Sequence, residues 1–176
     1  MRQIYVYGRG GQGVRQACRI LAAAFVRAGS RAWAIGGYDD DCPENPSTAL
    51  VQVDDHVFAC DDVVLLDPGL LGEPFVTTRV NGVVLVAAAA VPCSRARGAA
   101  DIVAVDAAPI AAECGLGADV GTTMAGAFAA TTELLALDTV EAGIIDSRLA
   151  HAGAHLAACR TGYRAAARPR AYRVAS

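Results

Sequence analysis

Lysine is absent from this 176-residue chain; all 15 of its basic residues are arginine. That excludes a Walker-type phosphate loop, whose lysine reaches the phosphates, and any Schiff-base chemistry. Aromatic residues make up only 6% of a chain that is 54% hydrophobic. The core must therefore be built from Ala, Val, Leu and Ile, which favours an α/β domain with closely approaching helices. No apolar run reaches the roughly 18 residues of a membrane span, and Val83–Val91 falls far short. No secretory n-region and cleavage site precede Ile4, so a cytoplasmic protein is expected. The six cysteines (Cys18, Cys42, Cys60, Cys93, Cys114, Cys159) are scattered, with no C-x-x-C pair. Iron–sulfur and zinc sites need several thiolates converging on one small centre. These cysteines read instead as reduced structural thiols. No G-x-S-x-G nucleophile elbow occurs.

The length fits one domain with a sizeable core. A net charge of −3 argues against general nucleic-acid binding, but the charge is unevenly spread. Residues 1–31 and 147–176 each carry six Arg and no acid, whereas Ala32–Thr78 carries ten acids and no Arg. Such segregation gives a folded module two differently charged surfaces, useful either for oriented docking or for solubility alone.

Alternating short apolar runs and alanine-rich segments predict a Rossmann-like three-layer α/β/α sandwich, its sheet mostly parallel with one antiparallel edge region. Strands are expected at Ile4–Tyr7, Arg31–Ile35, Thr48–Val53, Val63–Leu66, Val83–Ala87 and Ile102–Val105. Helices are expected at Val14–Ala28, Ala107–Cys114, Thr122–Leu137, Thr139–Ile144 with Asp138 as cap, and Asp146–Gly162. Tyr38–Ser47, with two prolines and an acid run, reads as a loop. The single domain spans 1–162, and residues 163–176 form a basic tail expected to order only against something.

The stretch Gly8-Arg9-Gly10-Gly11-Gln12-Gly13 lies between the first strand and the first helix. Glycines there accept positive φ and let a ligand or another backbone approach, and the helix that follows aims its free N–H groups at an anion. A dinucleotide site would want an acid at the end of the second strand, but that strand ends in Gly36-Gly37. A stand-alone module binding NAD or an adenine nucleotide therefore stays as an alternative, beside a purely structural partner without activity. His151 and His155, four apart, predict two rings on one helix face, read as solvent or interface histidines because Ala152 stands where a zinc-protease base would be. His56 and Cys60 could pair as a nucleophile, but nothing orients them.

The full GxGGQG string on the first strand, opening into Val14–Arg27, resembles the start of the gamma subunit of 2-oxoacid:ferredoxin oxidoreductases, which act on pyruvate, ketoisovalerate and indolepyruvate. The likeness extends over roughly residues 3–160: Tyr38 and Pro46 stand at the ends of the loop that follows the family's second strand, and the Thr122–Leu137 helix fits its closing pattern. The resemblance implies a non-catalytic subunit holding no metal. Thiamine diphosphate, Mg and iron–sulfur clusters would lie in partner subunits, with a ferredoxin-type acceptor. It points to Gly8, Arg9, Gly10, Gly11, Gln12 and Gly13 as the cofactor-facing turn. Tyr38, Asp39, Asp40, Asp41 and Pro46 are expected to form a partner-docking loop, or to serve a reaction with no thioester product. This chain has neither the Gly-Asp-Gly…Asn string of the family's thiamine site nor clustered cysteines, so it is expected to be inactive alone. It departs from the family where Cys42-Pro43-Glu44-Asn45 replaces Arg-Arg-Gly-Gly behind the run Asp39-Asp40-Asp41. Those carboxylates would repel the phosphates of coenzyme A, so this loop is expected not to bind it.

Overall fold

The β-branched runs pair into a seven-stranded sheet, and the alanine-rich stretches between them coil into helices that lie against it. A computed structural model describes residues 2–36, 46–54, 61–73, 80, 82–91, 101–167 and 171–172. The strands are β1 (Arg2–Arg9), β2 (Arg31–Gly36), β3 (Pro46–Asp54), β4 (Asp61–Leu65), β5 (Val83–Ala87), β6 (Asp101–Val105) and β7 (Ala171–Tyr172). The helices are α1 (Val14–Arg27), α2 (Ala107–Glu113), α3 (Gly121–Thr132), α4 (Leu137–Asp146) and α5 (Ala152–Ala166), with a 3-10 turn at Pro68–Gly72.

Sheet order is β2-β3-β1-β4-β5-β6-β7. β1, β4, β5 and β6 are parallel, while β3 runs against both β1 and β2 and β7 runs against β6. The α/β class and the mostly parallel sheet are as expected. The Thr48–Val53 run alternates apolar and polar residues as an antiparallel strand near an edge should, and β3 is antiparallel and second from the edge, which β2 occupies. Its alternation has a local cause: Ala49, Val51 and Val53 are buried on the helix side, and Thr48, Leu50 and Gln52 point the other way.

The two faces are unequal. Ile4, Val6, Val51, Val64, Leu66 and Leu85 meet all five helices in one cluster, in which Phe128, Met124, Ile20, Leu21 and Ile144 are fully buried. Each such aliphatic or aromatic side chain contributes about 1.5–3 kcal/mol by leaving water. The opposite face carries a smaller cluster, Tyr7, Val63, Leu65, Val84, Val86 and Ile102, and Leu70 and Leu71 of the 3-10 turn close over it. Asp62 is buried at one end of the sheet. Its carboxylate accepts from Arg2 Nε at 2.8 Å and from the Val83 amide at 3.0 Å, pinning β1, β4 and β5 together.

Several boundaries differ from the sequence expectation. α3 stops at Thr132 because Glu133 turns left-handed (φ 55°), so Leu134 and Leu135 lie beyond it. α4 starts at Leu137 behind Ala136, which places Asp138 in its first turn and not at the cap. The last helix begins only at Ala152, because Arg148 and His151 take positive φ and break the chain from α4. It then continues past Gly162 to Ala166, and Ala171–Tyr172 adds a strand to β6, so part of the expected tail is ordered within the domain. α3 and α5 meet backbone to backbone. A Cβ on Gly126 would lie 2.1 Å from the Cys159 carbonyl oxygen, and one on Gly162 would lie 2.1 Å from that of Thr123.

Candidate functional site

β1 ends at Arg9 among the carboxyl ends of the parallel strands, the edge where open α/β sheets form their ligand crevices. The turn that follows is shaped by its own polar groups. The Gln12 amide donates to the Arg9 carbonyl (3.2 Å), and the Arg9 amide donates to Gln12 Oε1 (2.8 Å). Gly11 (φ +79°) is exposed at the tip, and Gly13 (φ +82°) sets the left-handed step into α1. Gly8 is needed for a different reason: a Cβ there would sit 2.8 Å from Val14 Cγ2 and 3.0 Å from Leu66 Cβ.

The two side chains that the resemblance aims at a partner are engaged within the chain. Arg9 Nε donates to Asp67 Oδ2 in an ion pair, while Asp67 Oδ1 accepts from the Gly69 amide at 2.7 Å. Gln12 folds back as described. What the turn offers outward is its exposed Gly11 backbone and the half-exposed Arg9.

Behind the turn stands the start of α3. The Gly121 amide donates to the Gln12 carbonyl and to Asp119 Oδ1, each at 3.1 Å. A Cβ on Gly121 would lie 2.4 Å from the Gly13 carbonyl oxygen, so the two backbones touch. One turn into each helix, three polar side chains converge. Gln16 Nε2 donates to Thr122 Oγ1 (3.0 Å), and His155 Nδ1 lies 3.0 Å from Thr122 Oγ1 and 3.2 Å from Gln16 Nε2. With two donors facing it, Nδ1 is the acceptor, which assigns the ring proton to Nε2. Burial pushes the His155 imidazole below its ordinary pKa, and the negative Asp119 partly opposes this.

His155 is thus buried, contrary to the expectation of a solvent or interface histidine. His151 caps α5 in a left-handed conformation and is exposed, so the two do not form a pair on one helix face. Burial raises the Cys159 thiol to about 12 and pushes Cys18 up further, and both are free, as structural thiols should be. His56, Cys60 and Tyr38, Asp39, Asp40 and Asp41 lie outside the described residues. Pro46 opens β3 directly opposite Arg9 in register, and Gly36 is opposite Ala49. Gly36 and Pro46 therefore lie at the same end of the sheet as the glycine turn.

Sequence reasoning missed Asp67, Asp119, Gly121, Gln16 and Thr122. Asp119 and Gly121 carried a readable signal, an acid placed before an alanine-rich helical run. Asp67 and Thr122 are brought to the turn only by the packing of separate elements.

A family model described as pyruvate ferredoxin/flavodoxin oxidoreductase matches residues 3–165. The chain is 35% identical over 150 residues to pyruvate synthase subunit PorC of Methanothermobacter marburgensis, covering 80% of this chain and 82% of that one. It is 30% identical over 178 residues to the gamma subunit of NADH-dependent phenylglyoxylate dehydrogenase from Aromatoleum evansii, covering 93% of each. The crystal structure of pyruvate oxidoreductase subunit PORC from Thermotoga maritima matches with a TM-score of 0.80 at 26% identity, over 93% of this chain and 95% of that one. With the strand–glycine turn–helix unit in place and the match running nearly end to end, this chain belongs to the pyruvate ferredoxin/flavodoxin oxidoreductase family.

Proposed function

We propose that this chain is a gamma-type subunit of a cytoplasmic 2-oxoacid:ferredoxin (acceptor) oxidoreductase, contributing to oxidative decarboxylation of a 2-oxoacid by docking on and closing the catalytic subunit. The observation that carries this reading is the near end-to-end likeness to subunits of such enzymes, at similar length and with one fold. Thiamine diphosphate, Mg and the iron–sulfur clusters belong to the partners in this reading, since the sequence has neither the thiamine string nor clustered cysteines. The docking end in this reading is the one that carries the Gly8–Gly13 turn, where Pro46 lies opposite Arg9. The open face of β2 continues from it: Trp33 and Ile35 are 46% and 47% exposed and lie in register with Gln52 and Leu50 of β3.

The test is purification with the neighbouring reading frames co-expressed. The expected result is a brown complex that reduces ferredoxin, or a viologen dye, when given a 2-oxoacid. A colourless, monodisperse chain that never associates with a thiamine enzyme would defeat the assignment. The acid run at Asp39–Asp41 further predicts no coenzyme A site on this loop, so saturable stimulation of turnover at micromolar coenzyme A would refute that part alone.

A further inference from the structure

We propose that the Asp119 carboxylate is the resident anion of the glycine turn, filling from within the chain the position over the starts of α1 and α3 that a ligand phosphate would otherwise take. Helix N-termini present unpaired amides and partial positive charge, and a carboxylate there satisfies both. Neither α1 nor α3 carries an acid in its first turn. Asp119 is placed to supply that charge to both. Its Oδ1 accepts from the Gly121 amide at 3.1 Å, at the first residue of α3. The same oxygen presses on the α1 cap, since a Cβ on Gly13 would fall 2.0 Å from it. The contact defines Gly13 chemically as well as conformationally: any side chain there would evict the carboxylate. The negative charge also reaches the third helix start of the cluster, where it acts on His155 against the effect of burial.

The glycine pattern invites a phosphate, and the fold answers with a side chain. The turn then presents backbone to its surroundings with its electrostatic demand already met, which suits contact with another protein surface better than capture of a free anion. This inference concerns the chain alone and holds independently of its assignment to a complex.

The full-length chain tests it by thermal unfolding in inorganic phosphate or formate, against sodium chloride of equal ionic strength. The wild type should show no anion-specific shift. Asp119→Ala should melt about 3–6 °C lower, by loss of a helix-start acceptor, and phosphate or formate should restore part of that difference. Asp119→Asn, which keeps the shape and removes the charge, should fold and show the same phosphate-specific gain to a smaller extent. Asp138→Asn, an exposed acid in α4, serves as control and should show none. A wild type stabilised by phosphate as much as the alanine variant would overturn the proposal. So would Asp119→Asn behaving like the wild type, or the control responding equally.

Discussion

The two faces of the sheet solve the burial problem differently. On the helix face, α3 is buried along nearly its whole length, and it has no polar side because α1, α4 and α5 surround it. On the opposite face, cover by the 3-10 turn begins over β4 and β5, and the β2–β3 end leaves Trp33 and Ile35 half exposed with Arg31 stacked 5.9 Å from the Trp33 ring centroid. β2 carries no Pro, and its edge position leaves these two apolar side chains half open to water. One face therefore holds the larger share of the buried core, and the other leaves the apolar surface that the proposed docking would use.

Substitutions on the two faces should separate these roles. The largest effect is expected for Gly126→Val, whose side chain would collide with the α5 backbone at Cys159. It should cost more than about 3 kcal/mol in denaturant unfolding, or prevent folding altogether. Next, Phe128→Ala on the helix face should cost about 3–5 kcal/mol, and Leu71→Ala on the other face about 2–3 kcal/mol. Equal costs would mean that the second cluster is as tightly packed as the first.

A smaller effect concerns His155. Its imidazole is held below the ordinary value of 6.5, so folding favours the neutral ring and the unfolded chain binds more protons. The stability from this group is present above that value and declines as pH falls from 6.5 toward the depressed folded value. His155→Gln should flatten this acid limb of the stability profile. The smallest effect on stability belongs to Trp33→Ser, within about 0.5 kcal/mol of wild type. Yet it should reduce co-purification with the catalytic subunit; a variant that associates normally would show that the open face has another use.

Much of the fold was legible because local chemistry dictated it. β5 was read to the residue from an unbroken Val-Val-Leu-Val-Ala run, and α1 from the alanine-rich stretch that follows the glycine turn. The end of α3 was not legible. Its alanines, glycines and threonines show no preferred face, and the stop is a left-handed Glu133, a residue type that gives no such warning. The partners of the glycine turn were hidden for another reason: Asp67 and Asp119 are more than 50 and 100 residues from it, and no local pattern encodes contacts at that range.

The sequence by itself determined a glycine turn between a strand and a helix, because only glycine tolerates the positive φ and crowding found there. It determined equally the family that turn belongs to and the absence of lysine chemistry. Tertiary packing decided what the turn does with its charge. By bringing Asp67 onto Arg9, and Asp119 with Gly121 onto Gly13, the fold satisfies internally the groups that the string read alone would offer to a ligand. Such satisfaction depends on which distant backbone amides and carboxylates arrive within about 3 Å, a distance that only the folded chain sets.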